Sequence, residues 1–416
     1  MSLTSSLAYI PKPTSVSARS FSTQCNTING TTFGGGEQVK IDISTGQYGQ
    51  YLDPLNSFLK FKITNNSGQT YTLDGNCASL FNRVVVEYAG YVLEDISDFG
   101  VLHSIMFDNQ ISFAERRTVH AITTGCNTTD QSRGGGSLAD GASAVVTLAL
   151  PSFILGLMAT KYIPLGAMTA DSNLRLTLYL NDAGIGVVCG NGHTGTFSLS
   201  DITYEAHMVK LEESAEAMVR QSTKGVYRIH GESYRAFNTT LESGVTQSTI
   251  NIPVKVSSLK TLIVCHRYSS DTTNVEKASI TNRTRGDLSE YFFSIGNMRV
   301  PQKPIKVNGG CAEAFVEVQK ALHHFGSRNS AISYTAAQYI KTSTSDTDGS
   351  FVIMLDTEGF SGKSDVINTG MSTISQNVFF NGTYLTTPAQ ITVTSYAHFD
   401  TMLESTASDG LARVMF

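Results

Sequence analysis

VKIDIS (residues 39–44) and FLKFKIT (58–64) decide the fold class. In the first, Val39, Ile41 and Ile43 alternate with Lys40, Asp42 and Ser44; in the second, Leu59, Phe61 and Ile63 oppose Lys60, Lys62 and Thr64. A period of two puts the apolar side chains on one side of an extended chain, so each stretch is a strand with one buried face. Working outward, the same reading predicts strands at 81–88 (FNRVVVEY), 144–150 (AVVTLAL), 173–180 (NLRLTLYL) and 197–209. Loops rich in Gly, Asn and Asp separate them, notably 125–141 and 181–196. One helix interrupts the series. DISDFGVLHSIMF (95–107) carries Ile96, Phe99, Leu102, Ile105 and Met106 at helical spacing, with Asp95 or Ser97 placed to cap its start.

At LEESAEAMVRQ (211–221) the alternation stops, and a short helix is predicted, with acids early and Arg220 late as the helix dipole prefers. A second series of strands follows at 226–237, 248–256, 259–267, 290–295, 350–356, 376–380 and 390–397. It has its own helix at 311–325, where Ala314, Phe315, Val318, Ala321, Leu322 and Phe325 form one apolar face. The chain divides into an N-terminal arm (1–32), a first block (33–210), a linker helix (211–224) and a second block (225–416). The blocks form a coarse internal repeat, each mostly strands with one inserted helix. About seven or eight strands per Gly-rich block fits a sandwich or jelly roll.

Composition agrees. A chain of 416 residues exceeds the usual single core, so two domains are expected. Hydrophobic residues make up 41%, enough for packed interiors, but charged residues only 16%, against roughly 25% in soluble domains. Low charge suggests that other subunits cover part of the surface. A net charge of −5, with no run of four basic residues, argues against direct nucleic-acid binding. The cysteines (Cys25, Cys77, Cys126, Cys189, Cys265, Cys311) are scattered without a C-x-x-C pair and read as free thiols of a reduced compartment. The N-terminus lacks a basic patch followed by an apolar run, so no secretory signal is expected, and no stretch approaches the roughly 20 apolar residues of a membrane span. The arm shows no periodicity and holds Pro11 and Pro13. Ordering it costs about 1–2 kcal/mol per residue, so it must dock on its own domain or on a neighbour.

From Gly46 onward the sequence resembles a known family. GQYGQYLDPLNSFLKFKITN (46–65) is similar to the opening of the double jelly-roll major capsid proteins of polinton-like viruses, virophages and their relatives. LFNRVVVEYAGYVLEDISDFGVLHSIMFD (80–108) looks like that family's strand, Gly turn and helix unit. LALPSFILGLMATKYIPLGAM (148–168) and NLRLTLYL follow, with Pro151, Gly156, Pro164, Leu165 and Gly166 at family positions. Segments 234–264, 291–305, 360–375 and 391–404 continue the series in family order. The resemblance covers residues 37–416 and leaves the arm out.

It implies an all-β chain of two tandem jelly-roll β-barrels with short inserted helices. It also implies a homotrimer, three copies of two barrels forming a pseudo-hexameric capsomer that tiles an icosahedral shell within the virion. Implied partners are neighbouring capsomers, penton and minor capsid proteins, and an internal membrane or genome-associated protein reached through the arm. Strands in this family stand perpendicular to the shell, which places loops 125–141 and 181–196 on the outside. No cofactor, metal or catalytic residue is implied.

Candidate sites in the sequence favour structural readings. GFSGKS (359–364) resembles a phosphate loop, but Thr357 stands where a Walker A loop needs its first Gly. His323 and His324 are adjacent on a helix, so their side chains diverge and cannot share a metal. His398 and Asp400 share a strand face without a placed nucleophile, which predicts a cross-strand contact. His103, His120, His193, His207, His230 and His266 have no metal-ligand spacing. Gly134 to Gly136 reads as a flexible loop tip, and Glu115, Arg116 and Arg117 as a solvated helix end. Sequons at Asn29, Asn65, Asn127, Asn238, Asn282 and Asn381 read as unmodified. An enzyme on this scaffold would need paired catalytic groups, and none is evident. A spike, penton or carbohydrate-binding jelly roll, the alternative reading, expects aromatic clusters in the outer loops, and loops 125–141 and 181–196 contain no Phe, Trp or Tyr.

Overall fold

The alternation at 39–44 and 58–64 becomes strand with the expected faces: Val39, Ile41, Ile43, Leu59, Phe61 and Ile63 are all fully buried. Each such side chain contributes about 1.5–3 kcal/mol by leaving water. The computed structural model describes residues 17–129, 131–325, 331–342, 348–359, 368–385, 389–408 and 410–415. Its first half holds eight main strands: β1 (Ala18–Asn26), β2 (Gln38–Ile43), β3 (Gln50–Asn65), β4 (Phe81–Tyr88), β5 (Tyr91–Ser97), β6 (Ser143–Leu148), β7 (Leu174–Leu180) and β8 (Phe197–Leu211). They form two antiparallel sheets, ordered β1-β8-β3-β6 and β2-β7-β4-β5.

The second half repeats the plan with β9 (Val226–Leu241), β10 (Gln247–Ile252), β11 (Leu259–Tyr268), β12 (Leu288–Ile295), β13 (Met298–Lys306), β14 (Ile353–Asp356), β15 (Val378–Tyr384) and β16 (Ile391–Thr406). Their orders are β9-β16-β11-β14 and β10-β15-β12-β13. Adding eight to each strand number of the first pair of sheets gives the second. Each half is therefore a jelly roll, and one continuous apolar core runs through both.

Helices fill the same place in each barrel, between its fifth and sixth strands. In barrel 1 these are α1 (Phe99–Gln110), α2 (Phe113–Arg117) and α3 (Val119–Thr123). The linker is α4 (Glu213–Thr223), and barrel 2 carries α5 (Ala312–Ala321) and α6 (Ala336–Tyr339). Short strands finish the sheets: Thr32–Gly34 pairs with β8, and Leu411–Met415 pairs with β16. A three-stranded sheet of Tyr71–Leu73, Ser137–Leu138 and Val187–Val188 ties loops 125–141 and 181–196 together at one end of barrel 1.

Several sequence expectations need correction. β1 lies inside residues 1–32, assigned above to an arm; it pairs along its whole length with β8, Ala18 opposite Leu211 and Asn26 opposite Thr203. Its alternation is hidden because only Cys25 is buried, an edge strand having one neighbour and little cover. The arm's first sixteen residues lie outside the described residues. β5 and β13 also went unread, the one absorbed into the helix reading, the other broken by Pro301 and Pro304.

Asp98, not Asp95 or Ser97, precedes α1, in a left-handed conformation and without a side-chain capping bond. The helix predicted to end at Phe325 ends at Ala321. Gly134 to Gly136 is no free tip. The Gly135 amide donates to Leu73 O at 2.8 Å, and a Cβ on Gly135 would sit 2.4 Å from the Leu73 Cβ. Only glycine lets these two backbones meet there.

Candidate functional site: the junction between the barrels

The side chains that set this molecule's shape gather where α1, β5 and the loops of barrel 1 meet β9, β11, β16 and the loops of barrel 2. α1 buries its apolar stripe of Phe99, Leu102 and Ile105 in barrel 1. Asp108 and Asn109 fall where that stripe would continue, yet both are buried, because barrel 2 covers them.

Asp108 holds three arginines. Oδ1 accepts from Arg116 Nη1 at 2.8 Å; Oδ2 accepts from Arg133 Nη2 at 2.6 Å and from Arg283 Nη2. All four side chains are 2% exposed or less. Burial by itself would raise the Asp108 pKa, but Arg133, Arg283 and Arg116 outweigh it and hold this carboxyl well below the usual carboxylate range. Arg283 comes from barrel 2 and also donates to Ser104 Oγ at 2.7 Å. Arg133 reaches back across the junction to Asp348 Oδ1 at 3.0 Å and to the Gly349 and Thr281 carbonyls at 2.9 Å each. The Ser333 amide donates to Asp108 O at 2.8 Å, and Tyr334 Oη to Asn109 Oδ1 at 2.6 Å. Arg116, read from sequence as part of a solvated helix end, is thus a buried member of this cluster. Glu115 beside it closes a capping box with Ser112.

Three further carboxyl groups of barrel 1 sit at the same junction. Asp98 Oδ2 accepts from Asn238 Nδ2 at 2.6 Å, its carbonyl accepts from Tyr396 Oη at 2.9 Å, and Arg267 Nη2 lies 3.9 Å from Oδ1. Asp74 accepts the Ile280 amide at 2.6 Å, and burial raises its pKa against the hydrogen bonds from Thr281 and Ile280. Glu94 on β5 accepts from Ser152 Oγ, from the Phe153 amide at 3.4 Å and from Ser233 Oγ of β9 at 3.3 Å. With no cation among these partners, burial pushes the Glu94 carboxyl up to about 7. A cavity of about 470 Å³ beside it is lined by Val92, Glu94, Tyr234, Arg235, Phe237 and Phe399. At the linker, buried Glu216 of α4 accepts from Tyr51 Oη of barrel 1 at 2.7 Å and from Tyr227 Oη of barrel 2 at 3.4 Å.

The sequence candidates fall elsewhere and stay apart. His398 lies opposite Tyr234, stacks on its ring at 4.5 Å and meets Glu232 Oε2 at 2.9 Å, the cross-strand contact expected. Burial opposes the charge of Glu232, but His398 and Lys260 together bring its pKa down to about 2. Asp400 instead accepts from Ser258 Oγ on the neighbouring segment.

His323 pairs with Glu358 at 3.0 Å, while burial lowers the pKa of His324. His103 stacks on Phe107 at 5.5 Å, and His120 packs edge-on against the same ring at 4.7 Å. His266 sits between the Arg285 carbonyl and Tyr384 Oη. Burial brings both His103 and His266 down to about 4. Among the described residues no group of three or more His, Cys, Asp or Glu side chains is arranged to hold a metal. The six cysteines are buried free thiols. Residues 360–364 of GFSGKS lie outside the described residues.

Sequence reasoning missed the junction cluster because its two sides are far apart in the chain, Arg283 lying 175 positions from Asp108 and Asp348 215 from Arg133. The one local signal was a polar Asp-Asn pair on the apolar stripe of α1.

No protein-family model matches the sequence, and no curated protein sequence matches it. Solved structures do match in fold. The PBCV-1 virus capsid aligns over 98% of this chain and 99% of that one, at 13% identity and a TM-score of 0.66. The Faustovirus major capsid protein aligns over 95% and 92%, at 8% identity and 0.61. The mavirus major capsid protein aligns over 100% and 94%, at 10% identity and 0.55. The chain is thus similar along nearly its whole length to viral major capsid proteins, and what it shares with them is the double jelly-roll fold.

Proposed function

We propose that this chain is the major capsid protein of an icosahedral DNA virus, with a structural rather than catalytic role. The observation that carries the reading is the same eight-strand order twice in one chain, matched end to end by capsid proteins. Two like barrels per chain make a trimer nearly six-sided, a shape that tiles a shell. Closed rings of this kind cover sheet edges that would otherwise invite misassembly. Units 33–210 and 225–416 serve as the two barrels, joined by 211–224, with β1 added to the first. Loops 125–141 and 181–196 form part of the outer surface. Residues before β1 reach minor capsid proteins, a genome-associated protein or an internal membrane; neighbouring capsomers and pentons meet the sides.

Electron microscopy of the expressed protein tests this. Six-sided capsomers or closed shells are expected. Only isolated two-lobed particles at high concentration would contradict the proposal.

A further inference from the structure

Among the described residues, the buried carboxyl groups of the junction each have a cation near them, with one exception. Asp108 faces three arginines, Glu216 pairs with Arg220 at 2.7 Å, and the charge of Arg133 acts on Asp74. Glu94 of β5 is 3% exposed, and its donors are neutral: the Ser152 hydroxyl, the Phe153 amide at 3.4 Å and the Ser233 hydroxyl of β9 at 3.3 Å. Such bonds recover only part of the cost of burying a carboxylate. The contact between β5 and β9 does not require an acid, since the amide oxygen of a glutamine accepts from the same two hydroxyls.

The cavity beside Glu94 has the size and walls of a small-molecule site. Its volume of about 470 Å³ falls within the usual range of roughly 300–1,000 Å³. Val92 of barrel 1 and Tyr234, Phe237 and Phe399 of barrel 2 give it apolar and aromatic walls. Asp95 also lines it but is held by Arg83 at 2.6 Å. Arg235 is exposed, with its guanidinium 5.8 Å from the centre of the Phe399 ring.

A buried carboxyl without a cation, set beside aromatic walls, is complementary to an organic ammonium. The ammonium supplies the missing charge, and the ring faces attract it further. Among the described residues no other Asp, Glu, His or Cys joins Glu94 to make a metal site. Arg235 disfavours a second positive charge on the ligand. We propose that the cavity binds a primary alkylammonium ion, its ammonium ion-paired with Glu94 and its alkyl chain packed on Tyr234, Phe237 and Phe399. The site lies within one chain, so it goes beyond the capsid reading and does not depend on how copies assemble. Because both barrels supply its walls, the bound ion ties β5 to β9 and stabilises the folded junction.

Binding takes the ionised carboxylate, whereas burial holds Glu94 up at about 7 in the free protein. A proton is therefore released on binding at acid pH, and affinity rises with pH until it levels above 7. Of the other titratable groups here, burial pushes the Tyr234 phenol up. His398 stacks on the Tyr234 ring at 4.5 Å and meets Glu232, which Lys260 also holds.

Titration calorimetry of the full chain with hexylammonium chloride tests this, with hexanol and the N-acetyl amide of lysine as comparisons. Saturable binding of one hexylammonium per chain is expected at pH 8, with affinity about tenfold or more lower at pH 5.5 and for hexanol. Glu94→Gln should weaken binding by a similar factor at pH 8 and remove the pH dependence. Phe237→Ala, at a half-buried wall position, should also weaken it, and gives a second reading should the Glu94 variant not fold. No saturable binding, equal affinity for hexanol, or unchanged affinity in Phe237→Ala would overturn the proposal. So would a pH dependence that persists in Glu94→Gln, which would belong to His398. Tighter binding of the lysine derivative would assign the cavity to a side chain of another protein and overturn the free-amine reading.

Discussion

Arg283 of barrel 2 is ion-paired with Asp108 of barrel 1 where both side chains are 1% exposed or less. Two residues 175 positions apart in the chain thus share one buried charge contact. Arg116 and Arg133 converge on the same carboxylate, so three cations share Asp108 at the point where the barrels are locked, and Arg133 also meets Asp348 at 3.0 Å. Removing one member of a buried ionic group leaves the others uncompensated, which costs more than the contact itself contributes.

Replacing Asp108 by Asn keeps the shape and removes the charge. Asp108→Asn is expected to lower stability by about 3–5 kcal/mol, read as a fall in the denaturation midpoint. Arg283→Ala made on that background should cost much less than it does alone, because the two residues act as a unit. Equal effects in both backgrounds would contradict the coupling.

Glu94 makes the junction weaken as pH rises from acid to neutral. Its carboxyl is raised from 4.5 to about 7, so the folded state holds a proton that the unfolded state has released. The associated stability is fully present below pH 4.5 and is lost as pH rises through 7, about 3 kcal/mol over the whole span. Glu94→Gln should remove this dependence, and the melting temperatures of wild type and variant should change relative to each other between pH 4.5 and about 7 and run level above it. Parallel curves would show that Glu94 does not titrate there.

The buried histidines act in the opposite direction. His103 and His266 are lowered from 6.5 to about 4 and are neutral in the fold. Their contribution is present above pH 6.5 and disappears as pH falls toward 4, because the unfolded chain binds the protons first. His266→Gln should flatten the acid side of the stability profile. A profile unchanged by the substitution would contradict the assignment.

Truncation separates β1 from the residues before it. Removing residues 1–16 should leave the unfolding midpoint of the barrels unchanged. Removing 1–32 also strips β1 from β8 and uncovers buried core around Cys25, and a fall of several degrees is expected. Equal midpoints for the two truncations would show that β1 adds no stability.

Gly135→Ala tests the packed loop. The added Cβ would lie 2.7 Å from the Leu73 carbonyl oxygen, so backbone must shift at a cost of about 1–3 kcal/mol. A neutral result would restore the flexible-tip reading.

Legibility followed burial. Strands with one wet and one dry face, such as β2 and β3, announce themselves by alternation, and the repeat of two barrels followed from a series of them. β1 was unreadable because an exposed edge strand needs little apolar sequence, and β13 because its prolines suit an edge as well as a loop. The junction was hidden for another reason. Arg116 looks like any helix-end cation until a carboxylate eight residues earlier and an arginine of the other barrel are brought to it by packing. Charge partners set by tertiary contact leave almost no local pattern, whereas buried faces of strands do.

The solution mass of the full chain, measured by native mass spectrometry at high protein concentration, tests the central claim most directly. A species of three 44.9 kDa chains, about 135 kDa, is expected. A single 44.9 kDa species under the same conditions would contradict it.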